Sequence, residues 1–121
     1  MSKILVVVDD ETLRGRIDLA LERAHFEVIT AFDSRQALNL VHGDKPDLII
    51  MEEDLPMING DKLYSRIRRF SDVPIIVLGN EDDKLARVRA LVLGADFYMT
   101  APIGLNELIA RTGVLLRHYK E

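Results

Sequence analysis

Three carboxylates stand in a row at Glu52, Glu53 and Asp54, directly behind the apolar run Leu48-Ile49-Ile50-Met51 and ahead of the turn-formers Pro56 and Asn59-Gly60. A second acidic group, Asp9-Asp10-Glu11, follows the apolar run near the start of the chain. A positioned carboxylate can act as a nucleophile. Crowded carboxylates otherwise raise one another's pKa or recruit a cation, and an all-oxygen set suits magnesium or calcium. The chain contains no cysteine, so disulfides and thiol chemistry are excluded. The loops also lack a glycine-rich phosphate cradle.

These acids need elements that bring them together. Leu48 to Met51 has the continuous apolar character of a strand covered on both faces. Lys3 to Asp9, Glu27 to Ala31, Val73 to Leu78 and Asp96 to Thr100 read as four more strands. Between them, apolar residues recur at helical spacing. Leu13, Ile17, Ala20, Leu21 and Ala24 mark a helix over Thr12 to Ala24, and Ala37, Leu38 and Val41 mark one capped at Asp33-Ser34 and ended by Gly43. Leu63, Ile67 and Phe70 mark a third helix. Leu85, Val88, Leu91 and Val92 mark a fourth, starting near Asp82-Asp83 and stopping before Gly94, and Leu105, Leu108, Ile109, Leu115 and Leu116 a fifth. Strands alternating with helices over short connections predict an α/β fold with a doubly wound parallel sheet and helices on both faces. The loops at the carboxyl ends of its strands then gather Asp9-Asp10-Glu11, Glu52-Glu53-Asp54, Gly79-Asn80-Glu81 and Thr100-Ala101-Pro102 at one edge, where such sheets build their sites. The pattern leaves the strand order open.

The 121 residues suit one domain over residues 1–121, with 16 basic and 20 acidic residues and a net charge of −4. With no basic stripe, direct nucleic-acid binding by this domain is not expected. The opening MSKILVVVDD turns acidic too soon for a signal peptide or a membrane span, so a cytoplasmic location is expected.

KILVV near the start, PDLII with LPMING in the middle, VPIIVL, and GADFYMTAPI near the end resemble the receiver domain of two-component response regulators. The tail ELIARTGVLLRHYKE is most similar to the last receiver helix of the OmpR/PhoB subfamily of winged-helix transcription factors. The resemblance covers essentially the whole chain and implies a flavodoxin-like, CheY-like (βα)5 domain. It also implies phosphoryl transfer from a histidine kinase onto an aspartate beside a metal, with a hydroxyl and a lysine holding the product.

Carried over by position, that chemistry is depleted. The acceptor position, four residues before Pro56, is Glu52. An ungapped reading puts the family's acidic pair on Val8 and Asp9, with Asp10 a neighbour of uncertain aim. The hydroxyl position is Gly79 and the lysine position is Ala101. Tyr98 is kept at the aromatic switch position, and its ring is expected to point inward, into the space of the missing threonine. The Ala101–Pro102 bond is expected to be cis. The resemblance thus implies an atypical pseudo-receiver, not an enzyme, with no catalytic residue and no required cofactor. A magnesium or calcium ion held by Asp9, Glu52 and the Asp54 carbonyl would bind weakly at best. Glu52 itself reads three ways: a solvated loop acid, a built-in stand-in for aspartyl phosphate, or the vestige of a site.

Surfaces remain. The subfamily dimerises through its fourth helix, fifth strand and fifth helix. The matching residues here are Arg87, Val88, Leu91, Val92, Phe97, Glu107, Ile109 and Arg111. Helix core is the plainer explanation for Val88, Leu91 and Ile109. The expected function is phosphorylation-independent signal transduction and transcriptional regulation by homodimerisation or partner binding. The effector would be a winged-helix DNA-binding domain not in this chain, to which the end HYKE would link. One alternative is a receiver still phosphorylated on Asp54 or Asp10 by a kinase; another is a small-molecule binder using the acidic edge.

Overall fold

The structure is a computed structural model that describes residues 1–120. Glu121, the last residue of the expected domain, lies outside the described residues. The elements alternate strictly: β1 (Lys3–Val7), α1 (Glu11–Arg23), β2 (Glu27–Thr30), α2 (Ser34–Asp44), β3 (Leu48–Glu52), α3 (Leu63–Arg68), β4 (Ile75–Gly79), α4 (Lys84–Leu93), β5 (Phe97–Thr100) and α5 (Leu105–Lys120). All neighbouring strands pair in parallel in the order β2-β1-β3-β4-β5. The first crossover runs one way and the rest run the other, so the switch point falls between β1 and β3, beside the acidic loops.

The unbroken apolar strands follow from burial on both faces. Leu5, Val7, Ile49, Met51, Ile75 and Val77 point into one core with α2, α3 and α4. Ile4, Val6, Leu48, Ile50, Ile76 and Leu78 point into the other with α1 and α5. The period of two is present, but both halves of it are apolar.

Local boundaries depart from expectation where a side chain or backbone group decides them. The first strand stops at Val7, because Val8 offers its carbonyl to Arg14 at 3.0 Å and Asp10 caps α1 through Leu13 N–H at 3.0 Å. Asp10 is therefore a capping residue. Helix α2 runs through Gly43 to Asp44, and Lys45 (φ 48°), not Gly43, makes the left-handed exit. Helix α3 ends at Arg68. Phe70 lies past its end, with its ring stacked on His42 at 4.0 Å.

At the amino ends of β4 and β5, Asp96 ties three elements. Its Oδ2 accepts from Ile75 N–H at 2.8 Å and from Arg68 at 3.0 Å, and its Oδ1 accepts from Tyr119 Oη at 2.5 Å. No helix among the described residues is long and apolar enough to cross a membrane.

Candidate functional site

The site lies where β1, β3, β4 and β5 end. Glu52 is the last residue of β3, and its carboxylate accepts a hydrogen bond from the backbone N–H of Asp9. Burial raises the Glu52 pKa. Bonding to the Asp9 and Asp10 backbone opposes that rise, while the charges of Asp54 and Asp9 add to it. A carboxylate raised above its unfolded value contributes stability that is present at low pH and is lost as pH climbs through the folded pKa. Glu52→Gln, which keeps an acceptor and drops the charge, should therefore raise the neutral-pH unfolding midpoint. The gain should disappear below pH 4.5, and urea titrations at both pH values would show it. A midpoint lower at neutral pH would show that the charge itself is needed.

The next residue points the other way. Glu53 is only 7% exposed, and its backbone N–H still bonds Leu78 O at 2.8 Å. The Asn59-Gly60 pair, both left-handed, reverses the chain between Ile58 and Asp61, which bond each other at 2.9 and 3.0 Å. That reversal returns Lys62 to Glu53. Lys62 Nζ lies 2.8 Å from the Glu53 carbonyl and 3.0 Å from Oε1, while Arg89 of α4 meets the same Oε1 at 2.6 Å. Glu53 thus joins the end of β3 to the start of α3 and the middle of α4. Nothing in its local sequence marks it as different from its acidic neighbours, and its partners are 9 and 36 residues away.

Asp54 is exposed. Asp9, Asp10, Glu52 and Asp54 line one cleft. Yet among the described residues no three His, Cys, Asp or Glu side chains gather closely enough to hold a metal ion. The expected set, Asp9 and Glu52 with the Asp54 carbonyl, would bring two side-chain carboxylates to an ion. Val8, where the resemblance expects an acid, is buried, and the Glu52 carboxylate is turned onto a backbone N–H. The described residues thus offer a magnesium ion no three-carboxylate site.

Across the cleft, Gly79 ends β4 and pairs with Thr100, while Tyr98 of β5 is buried. The Tyr98 ring lies inward: a Cβ placed on Gly79 would overlap Tyr98 Oη and Cζ. The aromatic hydroxyl therefore fills the room that any side chain at residue 79 would need. Ala101 is exposed beside it, and its peptide bond to Pro102 is cis. Burial pushes the pKa of Tyr98 and of Tyr64 above the usual phenol range, and the bond to Asp96 does the same for Tyr119. These are the three tyrosines of the chain. An absorbance titration of the folded protein should show the phenolate rise displaced above pH 10, with stability falling as pH passes the folded values. A rise centred on the ordinary value would mean that the rings are solvated.

Helix α4 packs inward through Ala86 and Ala90 and turns its larger apolar side chains outward. Leu85 is 81% exposed, Val92 75% and Val88 58%, with Leu91 beside them. Of the expected interface residues, Arg87, Glu107 and Arg111 are exposed. Ile109 and Phe97 pack partly into the core, and the Arg111 guanidinium lies 4.3 Å over the Phe97 ring.

Residues 4–112 match the response regulator receiver domain family, and the chain belongs to it. It is 39% identical over 116 residues to the transcriptional regulatory protein KdpE of Staphylococcus aureus, covering 96% of this chain and 50% of that protein. It is also 39% identical over 116 residues to the alkaline phosphatase synthesis transcriptional regulatory protein PhoP of Bacillus subtilis, covering 95% of this chain and 48% of that one. The chain thus spans about half the length of these relatives. Among solved structures, the Francisella response regulator 1452 receiver domain superposes with a TM-score of 0.89 at 28% identity, covering 98% of this chain and 99% of that chain. A two-component response regulator from Clostridium difficile shares the fold over the full length of both chains, with a TM-score of 0.90 at 24% identity.

Proposed function

We propose that this chain is a receiver domain that regulates transcription by association, without accepting a phosphoryl group. The observation that carries this reading is the pairing of Gly79 with Tyr98, in which the ring occupies the room of a side chain at residue 79. With Ala101 opposite, neither a hydroxyl nor an amine is supplied at the two positions where the family holds phosphate. Glu52 is one methylene longer than aspartate and is already bound to backbone, and in-line attack loses rate steeply with misplacements on the order of 1 Å. The output surface is the α4–β5–α5 face, used in a homodimer. Leu85, Val88 and Val92 form a contiguous apolar exposure there, of the kind that marks contacts. Because the relatives are transcriptional regulatory proteins about twice as long, the reading includes a covalently linked DNA-binding domain. A second reading, a receiver phosphorylated on Asp54, is favoured only by the exposure of that carboxylate.

Incubation with acetyl phosphate and magnesium, followed by intact mass and light scattering, tests the proposal. The expected result is an unmodified chain that is already dimeric, and that becomes monomeric in Val88→Asp/Val92→Asp. A gain of one phosphoryl group, or a monomer at every concentration, would overturn it.

A further inference from the structure

Arg68, the last residue of α3, spends all five of its N–H donors on fixed acceptors. Nη1 donates to the carbonyls of Ser71 at 2.9 Å and Val73 at 2.7 Å, on the way into β4. Nε and Nη2 donate to the carbonyl of Gly94 at 3.1 and 2.6 Å, and Nη2 also donates to Asp96 Oδ2 at 3.0 Å. Gly94 is the residue that ends α4. A Cβ there would lie 3.2 Å from Arg68 Cβ and 3.3 Å from the Tyr64 carbonyl, so glycine is what lets these segments approach so closely.

The other oxygen of Asp96 serves α5, accepting from the Tyr119 hydroxyl. Leu116 is buried, but Arg117, His118 and Tyr119 beyond it are exposed. The last turn of α5 therefore buries little apolar surface, and the bond from Tyr119 to a carboxylate ties it to the sheet. One side chain thus stands between the end of α4, reached through Arg68, and the end of α5, reached through Tyr119. These are the two helices of the face on which the association reading rests.

We propose that Asp96 is a positioning residue that holds the carboxyl ends of α4 and α5 in one fixed relation, so that a change at either end is transmitted to the other. The path is contiguous: Tyr119 hydroxyl to Asp96, Asp96 to Arg68, and Arg68 to the Gly94 carbonyl, at 2.5, 3.0 and 2.6 Å. Both groups in the middle are planar and rigid. A carboxylate turned by a pull on Oδ1 also carries Oδ2 away from Arg68 and the Ile75 N–H. A guanidinium shifted off Asp96 disturbs its paired bonds to Gly94. The proposal rests on the association reading for its output. Helix ends held in one relation present the apolar face of α4 to a second copy already ordered, which lowers the cost of pairing.

The test is native-state hydrogen exchange on the full 15N-labelled chain, with and without Tyr119→Phe, which removes one oxygen from a side chain already 46% exposed. Both samples also carry Val88→Asp/Val92→Asp, so that loss of dimer contacts cannot imitate loosening of α4. The Gly94 and Ala95 amides, which donate to Ala90 O at 3.0 and 2.8 Å, report the end of α4. Exchange in the last turn of α5 should rise about tenfold, as for loss of a hydrogen bond to a charged group. Exchange at Gly94 and Ala95 should rise about threefold, a coupling in the range for residues of one network. The Ala37 amide, in the first turn of the distant α2, should keep its rate. Arg68→Lys keeps the charge and loses the fork, and by reciprocity it should loosen the end of α5. A rise confined to α5 would reduce Tyr119 to a local tie, and an equal rise at Ala37 would make the network one of general stability; either overturns the proposal. With the apolar face intact, Tyr119→Phe should weaken the dimer about threefold in sedimentation equilibrium, and an unchanged constant would overturn the positioning role. A parent chain that is monomeric at every concentration overturns the association reading instead, since the exchange rates need no dimer.

Discussion

Gly79→Thr should lower stability by about 2 kcal/mol, because overpacking a filled site typically costs about 1–3 kcal/mol. The new Cβ would fall on Tyr98 Oη and Cζ, so either the ring leaves its seat or the ends of β4 and β5 move apart. The substitution restores the hydroxyl that the resemblance to other receivers expects, which makes a destabilising outcome informative. The control is the same change made in Tyr98→Val, where the overlapping ring atoms are gone. There the added cost of threonine should shrink to a few tenths of a kcal/mol, within the range of an unstrained substitution. Urea unfolding of the four proteins gives the coupling directly. Equal costs in both backgrounds would mean that Tyr98 and residue 79 do not compete for space.

Glu53→Ala should cost more, about 3 kcal/mol. Breaking a buried ion pair by removing one partner typically costs about 3–5 kcal/mol, since the other charge is left uncompensated. The figure is set at the lower end because the Arg89 side chain is 43% exposed and can turn to water, whereas Lys62 is 13% exposed and cannot do so easily. Lys62→Met alone should be milder, as Arg89 still pairs with the carboxylate. Glu53→Met with Lys62→Met should recover part of the loss, because apolar replacement of a buried pair is often neutral or better. Additive costs in the double variant would place Lys62 in solvent and remove Glu53 from its joining role.

The strands and the class of fold were readable because burial on both faces leaves long apolar runs, as in Leu48 to Met51 and Ile75 to Leu78. The order of the strands was not, since every parallel connection looks alike locally; the crossover direction shows only in space. Asp10 offered a missed signal: an aspartate ahead of an amphipathic run is a capping residue before it is anything else. The candidate site divided along the same line. Gly79 and Ala101 are legible as positions without a hydroxyl or an amine, and Tyr98 beside the bare Gly79 implies its own direction. Glu53 was hidden because its meaning lies in Lys62 and Arg89, which reach it only after a tight turn and a crossover. The outward face of α4 was ambiguous for a related reason. Leu85, Val88 and Val92 have the spacing of a core stripe, and only the small Ala86 and Ala90 reveal which side faces the sheet.

A ring seated against a glycine has one property that a phosphorylated aspartate lacks: it has no half-life. An acyl phosphate decays by hydrolysis, so a receiver that carries one keeps time; Tyr98 against Gly79 is a permanent part of the covalent chain. If association is the output, its level is then governed by mass action. In the dilute limit a tenfold fall in chain concentration would cut the dimer about a hundredfold, and control of such a domain passes from a kinase to the rates at which the chain is made and destroyed.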